Sequence, residues 1–309
     1  MGIEDSEIKT KVSPFAIRED EIKQADGFDG YVSINQVVNK IDRGHLGEVE
    51  YKILEIVNKY EFITSRQINQ ILELENMGFN KNRKLTNKLD QMLKGKLLTR
   101  YYFGTFGEKA AYRVYCLDKN GKYLLEAREV KVDWKPTDNT KSVGVMKRRL
   151  AANQFLIAYK MKSENYFKDE AKVEIVDKEN NTSIKSNGLL VLGKEASKIS
   201  IVVESIRREE DWKKTFKYRM ETYKNFLENF KIGDSNFNEK PYLVFVCEDK
   251  KHMAEVYKEI CLNKQNTEEK IYFTYDILQI QESLEDTWFE FVEKEDKIVL
   301  QALNIPILK

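Results

Sequence analysis

The 309-residue chain is predicted to join an α+β module to an α/β module. Three observations carry this expectation. The length suits about two domains. Helical periodicities over residues 48–94 give way to two strand-like runs by residue 117, and beyond Pro136 strand-like and helical segments alternate. With 41% hydrophobic and 33% charged residues, there is apolar material for two cores in a polar chain. No apolar run approaches the roughly 18 residues of a membrane-spanning helix. The opening MGIEDSEIKT has no basic segment followed by an apolar one, so a cytoplasmic location without membrane partners is expected.

Residues 1–46 are read as an N-terminal arm. They contain Pro14, four glycines before residue 46 and one weak helical pattern, YVSINQVVNKI. From Glu48 the pattern sharpens, Val49, Ile53, Ile56 and Val57 recurring at helical spacing. In FITSRQINQILEL, Thr64 followed by Gln67 matches a capping box, which predicts a second helix from Ser65. Leu85, Leu89, Met92 and Leu93 form the apolar stripe of a third helix, leaving Arg83, Lys84, Asn87, Lys88 and Gln91 on its other faces. Gly95 fits a helix stop. LLTRYYF and AYRVYCL then read as strands about the turn GTFGEKA, and DKNGKYLLEAREV as a closing helix.

Three helices followed by a hairpin is the order of a winged helix-turn-helix, assigned here to residues 47–128. The charge distribution agrees with that reading. Over the whole chain the net charge is +1, and residues 1–50 hold six Lys/Arg against eleven Asp/Glu. Residues 80–113 instead hold nine basic residues against Asp90 and Glu108, a net +7. Positive charge thus peaks where that fold meets phosphate, which predicts binding to double-stranded DNA. The expected contacts are Lys81, Arg83, Lys84, Asn87, Lys88 and Gln91 on the third helix and Arg100, Lys109 and Arg113 on the wing. Asn87 and Gln91 suit adenine edges and Arg83 guanine, while the lysines bind phosphate.

FITSRQINQILEL, NRKLTNKLDQMLKGKLLTRYYF and YRVYCLDKNGKYLL together resemble the winged-helix half of the replication-relaxation family of plasmid and mobile-element proteins, over roughly residues 48–126. The resemblance implies a role in plasmid replication initiation or its control, with replication or conjugation proteins as partners. Homodimerisation is compatible with it, since winged helices often read paired half-sites and the acidic arm is free to exchange between protomers.

KVDWKPTDNTKS marks a linker, placed at residues 129–142. Beyond it, residues 143–309 are expected to form a sheet of four to six strands, among them KVEIVD, GLLVLG, KISIVVES, YLVFVCE and IYFTY, with helices on its faces. Trp212, Phe216, Met220, Tyr223, Leu227 and Phe230 recur at steps of three and four and are read as a packing stripe rather than a cofactor box. The order helix, strands, acidic residue, helix resembles a restriction-endonuclease-like fold, as found in the C-terminal part of replication-relaxation proteins. That chemistry needs two carboxylates for Mg²⁺ and usually a lysine. Mapped onto the motif, Asn187 stands at the Asp position, Glu204 at the acidic position and Ile206 where a lysine or second acid belongs. A substitute carboxylate would have to come from Asp177 or Glu174. The set is degenerate, so no enzyme and no bound metal are expected, and Asn187 and Glu204 are relic candidates.

Three scattered cysteines and two histidines supply neither a zinc site nor a disulfide framework nor a His-assisted nucleophile. With no GxxxxGK[ST] and no GxGxxG, no nucleotide cofactor is expected. The alternatives left standing are a metal-dependent nuclease, a winged-helix transcription regulator and an interaction scaffold whose winged helix binds protein.

Overall fold

The computed structural model describes residues 13–19, 21–27, 30–79, 82–104, 112–194, 197–232, 237, 239–263, 271–280, 283–284, 287–294 and 297–303. Contacts divide them into two units, residues 18–150 and residues 13–17 with 151–303. Both mix helices and sheets, so the chain is α+β in class. No described helix is long and apolar enough to cross a membrane.

The first unit runs β1 (Ile22–Ala25), α1 (Ile34–Asp42), α2 (Glu48–Tyr60), β2 (Ile63–Thr64), α3 (Ser65–Leu74), α4 (Asn82–Lys94), β3 (Leu98–Gly104), β4 (Arg113–Leu117) and α5 (Lys119–Glu126), then a 3₁₀ turn at Pro136–Thr140. Helical spacing puts Ile53, Ile56 and Val57 on one buried face of α2. α3 begins where the capping box closes, Gln67 N donating to Thr64 Oγ1 (3.2 Å) and Thr64 N to Gln67 Oε1 (3.0 Å). α4 buries Leu85, Leu89, Met92 and Leu93. It stops at the expected place, but the left-handed residue that ends it is Lys96 (φ 54°), not Gly95. The Leu97 N–H then reaches back to the Met92 carbonyl (3.0 Å) and satisfies one of the helix-end acceptors. α5 locks this junction. A Cβ at Gly121 would stand 2.2 Å from the Leu97 carbonyl oxygen, and Asn120 Nδ2 donates to the Gly95 carbonyl (3.0 Å).

Two expected boundaries differ from what is seen. The described part of the arm, 1–46, is built into the first unit: β1 pairs antiparallel with β3, Ile22 opposite Gly104 and Ala25 opposite Tyr101, giving the sheet order β1-β3-β4-β2. α1 follows, with Ser33 and Gln36 as its capping box. Residues 1–12 lie outside the described residues. The expected linker, 129–142, is also held in place, because its polar side chains and carbonyls satisfy neighbouring groups instead of water. Asn139 Nδ2 donates to the Leu117 carbonyl (3.0 Å), and Lys23 Nζ donates to the carbonyls of Asn139 (2.9 Å) and Lys141 (2.8 Å). The division falls between residues 150 and 151, inside α6 (Val143–Lys162).

The second unit continues with β5 (Tyr166–Glu170), β6 (Glu174–Asp177), β7 (Thr182–Lys185), β8 (Gly188–Lys194), β9 (Ser197–Ser205), α7 (Trp212–Glu228), β10 (Tyr242–Cys247), α8 (Lys250–Leu262), β11 (Ile271–Tyr275), α9 (Asp276–Ile280), β12 (Phe289–Lys294) and β13 (Lys297–Ala302). Seven described strands form one sheet in the order β13-β12-β11-β10-β9-β8-β5, more than the four to six expected. β9, β10 and β11 run parallel, joined through α7 and α8, and the remaining neighbours are antiparallel. KVEIVD does not enter this sheet. Its strand β6 pairs with β7 in a separate two-stranded ribbon, and β5 takes the place beside β8. The aromatic stripe of α7 packs as expected: Phe216, Met220, Tyr223 and Leu227 are buried with Val202, Leu243 and Phe245 of the sheet.

Candidate nucleic-acid interface

The outer face of α4 follows from its inner one. With Leu85, Leu89, Met92 and Leu93 buried, the exposed positions among the described side chains are Lys84, Asn87, Gln91 and Lys94. Steps of three, four and three residues keep these four within an arc of about 80° at 3.6 residues per turn. Two amides therefore sit side by side with a lysine at either end. The acid on this helix, Asp90, is engaged by Arg100 Nη1 (2.6 Å), which quenches its charge beside the stripe. An amide can donate and accept at once, so the stripe suits a surface carrying paired donors and acceptors flanked by negative charge.

Of the residues expected to contact DNA, Lys84, Asn87 and Gln91 share this stripe, and Lys94, which the expected contact set lacks, extends it. Continuing the step of three and four beyond Gln91 is the signal that finds Lys94. Lys88, also expected to contact DNA, has its Nζ bound to Oε1 of the buried Glu50 on α2, so it ties two helices together. Arg100, expected on the wing, is buried. It is only 6% exposed, with Nε 3.0 Å from Asp26 Oδ2 and Nη1 on Asp90, and it belongs to the interior of the hairpin. Burial lowers the affinity of its guanidinium for the proton, but Tyr115, Asp90 and Asp26 outweigh this and hold it above its ordinary pKa. Arg113 is exposed at the start of β4, with Nε 3.3 Å from Asp26 Oδ2. Lys81 and Lys109 lie outside the described residues, as does the side chain of Arg83.

The relic candidates of the second unit do come together, on neighbouring strands. Gly188 at the head of β8 pairs with Val203 of β9, so Asn187 stands beside Glu204 and Ser205. Its Oδ1 accepts from the Ser205 N–H (2.9 Å). Glu204 is 2% exposed, and both its oxygens are engaged: Oε1 accepts from Arg219 Nε (2.7 Å), and Oε2 from Arg219 Nη2 (2.7 Å) and the Tyr223 hydroxyl (2.6 Å). Burial alone would lower the Arg219 pKa, but Glu204 beside it raises it, so a fixed positive charge sits on this carboxylate. Asp177 caps the turn after β6 through the Glu179 N–H (3.1 Å) and Asn180 N–H (3.2 Å), and accepts from Asn225 Nδ2 (3.1 Å) on α7. Glu174, in the same ribbon, is exposed. The donor set does not fit Mg²⁺: a guanidinium occupies the Glu204 oxygens, the Asn187 oxygen is spent on backbone, and Ile206 is a buried hydrocarbon. Among the described residues, no group of three or more His, Cys, Asp or Glu is arranged to hold a metal ion.

No family model, curated protein or solved structure matches the chain.

Proposed function

We propose that the protein binds double-stranded DNA through the first unit, read as a winged helix with α4 in the major groove and the β3–β4 hairpin as the wing. The observation that carries this reading is the stripe Lys84–Asn87–Gln91–Lys94, exposed on one helical face beside a hairpin bearing Arg113. Asn and Gln are the side chains that bind an adenine edge in bidentate fashion, and flanking lysines suit the phosphates on either side of a groove. The second unit is read as a restriction-endonuclease-like scaffold used for binding or assembly, because Arg219 holds the carboxylate that a cation would need. The resemblance to replication-relaxation proteins supports assigning the activity to plasmid or mobile-element replication or its control.

Selection of bound sites from a random duplex pool, followed by salt titrations, tests the reading. Lys84→Ala is expected to weaken binding to all sequences and to reduce the slope of log K against log[salt] by about 0.9. Asn87→Ala and Gln91→Ala are expected to cost about 1–3 kcal/mol on the selected site, with little effect elsewhere. Absence of any salt-sensitive affinity for duplex would overturn the reading. The footprint, one half-site or two, reports whether the protein acts as a monomer or a dimer.

A further inference from the structure

Arg113, an exposed cation of the hairpin, already faces an anion of its own chain. Asp26 follows β1, and its Oδ2 lies 3.3 Å from Arg113 Nε and 3.0 Å from Arg100 Nε. Its position is built from both sides of the backbone. The Asp26 N–H donates to the Arg100 carbonyl (2.9 Å), and Arg100 Nε donates to the Asp26 carbonyl (3.0 Å). Upstream, β1 is held on β3, the Tyr102 hydroxyl bonds to Gln24, and Lys23 is tied to the carbonyls of Asn139 and Lys141. Arg100 has a second carboxylate in Asp90 at 2.6 Å, so its charge is met without Asp26. Arg113, with a side chain 44% exposed, is the cation that Asp26 takes from solvent. A guanidinium binds carboxylate and phosphate alike, and Asp26 sits on its Nε edge at 3.3 Å, so a DNA phosphate that binds this edge of Arg113 must displace Asp26.

Resting on the duplex-binding reading above, we propose that Asp26 is a specificity-determining residue, an internal phosphate mimic that releases Arg113 only to a duplex correctly docked on α4. In the register fixed by the α4 stripe a phosphate is delivered beside β4 and exchanges with the carboxylate. A loosely bound, unregistered duplex delivers none there and leaves Arg113 on Asp26. Non-specific affinity comes almost wholly from phosphate contacts, so withholding one cation from it raises the discrimination between sites.

The test compares two probes, a 30-base-pair duplex selected by the wild-type protein from a random pool and one of mixed sequence, each titrated with salt. Asp26→Asn is expected to bind the mixed duplex roughly three- to tenfold tighter, with a slope steeper by about 0.9, and to gain less than twofold on the selected duplex. Arg113→Ala, which leaves Asp26 on Arg100, is the independent arm: it is expected to lower affinity for the selected duplex more than for the mixed one. The double variant is expected to lose the gain of Asp26→Asn. An equal gain on both duplexes, no gain on the mixed duplex, or a gain that persists without Arg113 overturns the proposal while leaving the α4 reading intact. If neither wild type nor Asp26→Asn shows salt-sensitive affinity for either duplex, the duplex-binding reading fails, and this proposal with it.

Discussion

Replacing Arg219 with Ala strips a buried carboxylate of its counter-charge. Glu204 is 2% exposed and holds Arg219 Nε and Nη2 at 2.7 Å each, with the Tyr223 hydroxyl at 2.6 Å. Removing the arginine deletes two of three charge-assisted hydrogen bonds and leaves the carboxylate with Tyr223. Breaking a buried pair from one side typically costs about 3–5 kcal/mol, because the surviving charge cannot return to water. The reverse change, Glu204→Gln, should cost less, about 1–3 kcal/mol. Arg219 keeps 18% of its side chain exposed and still donates to the Lys185 carbonyl at 2.8 Å. Two of the three tryptophans, Trp212 and Trp288, lie in the second unit, so fluorescence-detected urea unfolding follows the relevant transition. With a slope of about 2 kcal/mol per molar urea, a loss of ~4 kcal/mol moves the midpoint down by about 2 M. A loss below about 1 kcal/mol for Arg219→Ala, or a larger loss for Glu204→Gln, would refute the reasoning, because either requires water at a carboxylate that the packing excludes.

Two further expectations concern stability. His252 is buried on α8, its Nδ1 accepting from the Glu248 N–H (3.2 Å), and burial followed by the charges of Arg208 and Arg207 pushes its pKa down to about 3. Its folded pKa is below the unfolded value, so only the unfolded chain takes up the proton as pH falls from about 6.5 toward 3. This residue's contribution is therefore full above that window and is lost within it at up to about 1.4 kcal/mol per pH unit. His252→Gln should flatten the stability-against-pH curve there, and an unchanged slope would show the imidazole to be solvated. Gly121→Ala gains roughly 1 kcal/mol in helix propensity, yet its Cβ would stand 2.2 Å from the Leu97 carbonyl and 3.1 Å from Leu54 Cδ2. A net loss of at least ~2 kcal/mol in thermal or urea melts is expected, and a stabilised variant would mean that α5 does not pass so close to that carbonyl.

The local grammar of the chain predicts its local structure well. Thr64 and Gln67 announce the start of α3, and the spacing of Leu85, Leu89, Met92 and Leu93 fixes which side of α4 faces solvent, because caps and helical stripes are settled within one or two turns. What escapes is set by partners far along the chain. IKQA has no β-branched run to mark it as a strand, and β1 forms because β3, more than seventy residues on, offers an unpaired edge. Arg100 reads as a wing cation until Asp26, the residue after that strand, closes on it. Glu204 is visible as an acid at a strand end, but nothing local says that Arg219, fifteen residues later on a helix, will neutralise it. Residues 172–177 have the composition of a sheet strand. They lose the place beside β8 to β5, whose YFKDE carries less apolar content but comes directly after α6.

The pairing of Ser13 and Ile17 with much later residues of their own unit also bears on how the chain is made. Ser13 Oγ bonds to Asp276 across 263 residues, and the Ile17 N–H bonds to Glu248 Oε1 (3.2 Å) across 231. At roughly 5–20 residues per second of synthesis, the segment bearing Ser13 leaves the ribosome about 13–50 s before its acceptor exists. During that interval residues 18–150 can acquire their own contacts, whereas the second unit reaches its full hydrogen bonding only after residue 276 has emerged. The chain is therefore completed by its first described residues, and shortening it to begin at residue 18 would deprive Asp276 of a hydroxyl and Glu248 of an amide while leaving every residue of β5–β13 in place.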